Sequence, residues 1–133
     1  MKPKVATIGR WTRDRGGATA VEFALVLPAF LALIVGSVSA GNLGFTVSSL
    51  QFAVQAAARC SAVNTTLCNS ASATVAYAQS RYMGPTISPT FTSTTAGCGH
   101  TVSANATFGF QVATHTIGLP LTASACYPSA TTS

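Results

Sequence analysis

The chain changes its rhythm of apolar and polar positions three times. From Ala18 to Gly41 nearly every residue is apolar or small, and Glu22 is the single charge among these 24 positions. At about 1.5 Å per helical residue, such a run is long enough to cross a hydrocarbon core of about 30 Å. The pattern therefore predicts a membrane-spanning helix over 18–41. Pro28 lies inside it and lacks the amide proton that an interior helical position donates, so a kink or local break is expected there.

The helical pattern does not stop at residue 41. Leu43, Val47, Leu50, Val54 and Ala57 recur at three- and four-residue intervals, one stripe of a helix continuing over 42–59. Phe45, Phe52 and Ala56 form a second stripe on roughly the opposite face. Apolar groups on two faces call for neighbours on both sides, from the same domain or from other subunits. Between Cys60 and Asn69 the pattern lapses, and Asn64-Thr65-Thr66 supplies turn chemistry. A short second helix fits 70–83, with Ala71, Val75, Ala78 and Tyr82 on one face and Gly84-Pro85 as its stop.

After Pro85 the period becomes two. Val102, Ala104, Ala106, Phe108, Phe110 and Val112 alternate with polar residues or glycine, which predicts a half-buried strand over 101–112. Residues 118–126 alternate in the same way through Leu119, Leu121, Ala123 and Ala125. Residues 86–94 make a weaker strand with Ile87 and Phe91 on one face, and Pro89 confines it to a sheet edge. The fold class is α+β: a long N-terminal transmembrane helix running on beyond the membrane, a short second helix and a small antiparallel sheet.

Charge sharpens this picture. Of 133 residues only 7% are charged, and most of the net charge of +5 belongs to the start of the chain. Lys2, Lys4, Arg10, Arg13 and Arg15 precede the apolar run with Asp14, whereas Arg59 and Arg81 are the only cations after it. A nucleic-acid binder spreads its basic residues along a face or groove, so that class is excluded. The basic tail places the N-terminus in the cytoplasm by the positive-inside rule, with residues beyond about 42 on the outer side.

Catalytic chemistry is sparse. Beyond the tail the titratable candidates are Glu22, His100, His115 and the two arginines, and no Asp is present to orient a Ser–His pair. No enzyme activity, small-molecule substrate or cofactor is expected, and both histidines, in loop-like sequence, read as solvated. Cys60, Cys68, Cys98 and Cys126 show no C-x-x-C spacing, so a structural zinc site is a poor fit. Four cysteines in an exported segment favour disulfides instead. Three connectivities are open; Cys60–Cys68, closing the turn between the helices, and Cys98–Cys126, tying the start of one strand to the end of another, are favoured.

Two readings compete for residues 1–41. One is an ordinary secretory signal peptide cut after Ala40, with Val38-Ser39-Ala40 as its small-residue site and a periplasmic binding module beyond it. It gives Glu22 and Pro28 no role and removes a helix whose stripe continues past the cut. The other starts from Gly17, followed by a helix with Glu22 as its fifth residue. The segment GATAVEFALVLPAFLALIVG, from Gly17 to Gly36, with QAAARCSA at 55–62, closely resembles the TadE-like family of pseudopilins. These belong to the tight-adherence (Tad, or Flp) pilus machinery of bacteria, and the resemblance spans roughly 15–62.

The resemblance implies a basic leader over 1–17 that a prepilin peptidase removes between Gly17 and Ala18, with Glu22 required for processing and assembly. It implies a minor pilus component of the inner membrane whose partners are the peptidase, other pilin subunits and lipid. TadE-like proteins often carry a second acid near the position of Ser39; its absence here leaves the processing site intact. Physical chemistry offers Glu22 a reason of its own. A carboxylate in hydrocarbon costs roughly 2.5–3.5 kcal/mol on insertion scales. Cleavage would expose an amine at Ala18, one helical turn away, and opposite charges within about 4–6 Å favour both ionised forms.

Overall fold

The structure, a computed structural model, describes residues 16–112 and 114–129. The basic residues from Lys2 to Arg15 lie outside the described residues. The order of elements is α1 (Gly16–Val63), α2 (Ala71–Arg81), β1 (Thr90–Ala96), β2 (Gly99–Val112) and β3 (His115–Tyr127). The chain divides into two compact units, Met1–Val38 and Ser39–Ser133.

In the first unit α1 runs through Pro28 without interruption. Proline removes one hydrogen bond, to the carbonyl of Ala24, but its φ suits a helix, and the turns on either side carry the ladder across. The expected break is therefore absent. Every side chain described between 19 and 38 is exposed, including Leu25 and Leu33, each more than 70% exposed. Ser37 Oγ donates within the helix, to the carbonyls of Leu33 and Ile34, both at 2.9 Å.

In the second unit the later turns of α1 bury one face. Leu50, Ala53, Val54, Ala57 and Ala58 sit with Ala78 of α2 and with Phe91, Val102, Ala104 and Ala123 of the sheet in one core. Alanine predominates in this core. Leu50, Val54 and Ala57 of the expected stripe are fully buried, whereas Val47 is 38% exposed. The buried face is widened by polar residues that periodicity does not flag: Thr46, Ser49, Ser61 and, on α2, Thr74. Each is satisfied locally or by a neighbour. Thr46 Oγ1 donates to the Asn42 carbonyl at 2.7 Å, Ser61 Oγ to Ala58 at 2.9 Å and Thr74 Oγ1 to Ser70 at 2.9 Å. Phe45 and Phe52, on the second stripe, stay at least half exposed.

Helix α2 begins where Ser70 Oγ accepts from the Ala73 amide at 3.2 Å, an N-cap of the usual kind. It ends one turn before Gly84. The three strands form an antiparallel sheet in the order β1-β2-β3. The first strand starts at Thr90, just beyond Pro89, rather than at residue 86, because proline cannot donate to the ladder. It also runs on to Ala96, and a tight turn at Gly97-Cys98 pairs Ala96 with Gly99. Gly99 has φ of +123°, and a Cβ there would lie 2.7 Å from Ser129 N and 2.8 Å from Pro128 Cα, so this position requires glycine. Pairing with β1 reaches only Asn105, while β2 and β3 stay paired to Val112 and His115. The far part of that hairpin is a two-stranded ribbon with Ile117 exposed.

Candidate functional site

The residues singled out for processing come first in α1. The helix starts at Gly16, so Gly17 and Ala18 belong to its first turn and Glu22 lies one turn beyond Ala18. Residues four apart in a helix share a face, which puts the backbone nitrogen of Ala18 and the side chain of Glu22 on the same side. Gly17 and Glu22 are both exposed. Two consecutive glycines make this turn a weak one, since glycine costs roughly 0.5–1 kcal/mol relative to alanine inside a helix. A Cβ added at Gly17 would meet nothing within 4 Å. The chain itself therefore does not need glycine there, and any requirement for it would come from a partner.

Downstream, α1 is the one helix among the described residues long and apolar enough to cross a membrane, with a mean hydropathy of 2.3 in its most apolar window, none of which is buried. This is the property of a single-pass anchor.

The cysteines form the pairs Cys60–Cys68, with Cα atoms 5.9 Å apart, and Cys98–Cys126, with Cα atoms 6.4 Å apart. The first closes the turn after α1. There Asn64 Oδ1 accepts from the Leu67 amide at 3.1 Å, and the Asn64 carbonyl accepts from the Cys68 amide at 3.0 Å. The second links the β1–β2 turn to the end of β3, and Thr101 Oγ1 lies 3.4 Å from Cys98 Sγ and 3.3 Å from Cys126 Sγ.

The histidines are in strands, not loops, which corrects the sequence reading. Their neighbours, Thr and Gly, disguised strand ends that cross-strand pairing defines. His100, the second residue of β2, lies opposite Tyr127, whereas His115 opens β3 opposite Val112, at the other end of the same ladder. The two cannot act together. Among the described residues no three His, Cys, Asp or Glu side chains group as a metal site would require.

Sequence reasoning overlooked a groove of about 800 Å³ in the second unit. It lies between the end of α1, α2 and the end of β3, and both Arg59 and Arg81 line it. Their isolation in the sequence was the available signal.

Comparison with known families finds that residues 17–59 match the family described as TadE-like protein. The match begins at Gly17 and covers α1 nearly to its end. No curated relative and no solved structure matches the chain.

Proposed function

With residues 17–59 forming a TadE-like segment, we propose that this chain is a minor pseudopilin of a Tad-type pilus, a non-enzymatic subunit that helps assemble the fibre. The match of residues 17–59 to the TadE-like family is the observation that carries the reading. Supporting it is a helix apolar enough to serve as a single-pass anchor.

In the proposed mechanism a prepilin peptidase cuts the bond between Gly17 and Ala18 at the membrane. The weak glycine turn lets the segment unwind into the peptidase at low cost. The new ammonium at Ala18 then pairs with Glu22 of its own chain or of an adjacent subunit, which offsets the cost of holding a carboxylate in lipid. Cleavage also removes the basic residues Lys2 to Arg15, and with them the attraction to the anionic inner leaflet, worth about 1 kcal/mol per residue near the surface. The helix is then easier to withdraw from the bilayer into an assembly. The exposed Phe45 supplies an apolar contact for neighbouring pilin helices. In this reading the N-terminus begins in the cytoplasm of a bacterial inner membrane and the Ser39–Ser133 unit lies in the periplasm.

Deleting the gene in its own host and counting surface pili by electron microscopy tests the proposal. Loss of pili restored by the intact gene is expected. Unchanged piliation would overturn the assembly role.

A further inference from the structure

The groove beside α1 and α2 has chemistry that pilus membership does not account for. Residues 39–133 contain two formal charges, Arg59 and Arg81, and both line this one groove. Neither has a carboxylate side chain of its own unit to pair with, because no Asp or Glu occurs between residues 39 and 133. Arg81 lies over the Tyr77 ring, 4.8 Å from its centroid, and a contact of this kind leaves guanidinium N–H donors for another partner. Phe52 and Tyr127 add apolar wall, and Gln55 adds an amide with both a donor and an acceptor.

We propose that the groove binds a peptide segment of another polypeptide that carries a carboxylate side chain beside an aromatic or aliphatic one. The carboxylate would take the charge-assisted, fork-shaped contacts that guanidinium groups make well. The neighbouring apolar side chain would lie against Phe52 and Tyr127, and Gln55 would meet the peptide backbone. A volume of about 800 Å³ exceeds what a small anion fills and accommodates a few residues. Residues 39–133 of a second copy hold no Asp or Glu side chain, and Glu22 belongs to the segment read as membrane-spanning, so the proposed occupant is a different protein. The proposal does not depend on cleavage at Gly17 or on the pilus reading.

The test uses the full chain in detergent micelles with both disulfides intact, followed by ¹H–¹⁵N NMR. The probes are N-acetyl-Phe-Glu-Phe-amide, its Phe-Gln-Phe counterpart and inorganic phosphate. Saturable shifts at Arg59, Arg81 and Tyr127 are expected with the Glu peptide, with affinity reduced at least about fivefold for the Gln peptide. Arg59→Gln and Arg81→Gln should each cause a similar loss while the rest of the spectrum stays unchanged. Equal binding of the two peptides, or no saturable shift with either, would overturn the proposal. So would phosphate binding as tightly as the Glu peptide, a result that points to an anionic lipid headgroup instead. The peptide comparison uses the unaltered protein and stands even if an arginine variant fails to fold.

Discussion

The backbone amide of Met83 donates to the buried hydroxyl of Ser49 at 2.8 Å, joining the exit of α2 to the middle of α1 across 34 residues of sequence. Ser49→Ala leaves that amide without its acceptor in a partly buried position. A loss of about 1–2 kcal/mol is expected, read as a lower denaturant midpoint for the C-terminal unit. An unchanged midpoint would mean that solvent replaces the hydroxyl at no cost.

Tyr82 follows directly from that exit. Its hydroxyl donates to the Pro85 carbonyl at 2.9 Å, its ring packs over Gly84, and burial raises its pKa above the ordinary 10.0. The protonated form is thus favoured in the folded state. Its stabilisation is complete below pH 10, where the unfolded phenol is also protonated, and is lost as pH rises from 10 through the folded-state value. Stability measured above pH 10 should fall less steeply in Tyr82→Phe than in the unaltered chain. Equal slopes would contradict the assignment.

The two disulfides enclose loops of different length, with sequence separations of 8 and 28. On the chain-entropy account they contribute about 2.5 and 3.5 kcal/mol respectively. The alanine-rich core offers little to replace them. Replacing Cys98 and Cys126 by serine should therefore lower stability more than replacing Cys60 and Cys68, and thermal unfolding under non-reducing conditions checks the order. Four alkylatable thiols in the native protein would contradict the pairing.

How far the sequence carried depended on the kind of signal. The alternation from Val102 to Phe110 and the recurrence of Leu50, Val54 and Ala57 are direct projections of burial, so β2 and the core face of α1 were readable. That α1 passes Pro28 without a break was not, because one missing hydrogen bond weighs little against a long apolar helix. Ser49 and Thr46 were missed because their burial depends on partners distant in sequence or on a turn of backbone, and composition treats both as surface residues. The start of β1 was set by Pro89, but its end depended on the turn glycine at Gly99, whose requirement arises from the approach of Pro128 and Ser129. The groove was invisible for the same reason: Arg59 and Arg81 meet only in the tertiary fold. At the proposed processing segment the reverse holds, since Gly17, Ala18 and Glu22 are neighbours in sequence and the proposal needs no tertiary contact.

Glu22→Ala separates anchoring from assembly. Removing the carboxylate lengthens the apolar run, and by insertion scales it favours the membrane by about 2.5–3.5 kcal/mol. Membrane fractionation should be unchanged while processing or piliation falls sharply. Normal piliation would remove Glu22 from the mechanism.

The central claim is a cut between Gly17 and Ala18, and N-terminal sequencing of the mature protein from its own host tests it most directly. The account requires Ala18 as the first residue. A chain starting at Gly41 would establish an ordinary signal peptide, and one retaining Met1 or the residue after it would establish an uncut anchor; either result would contradict the account.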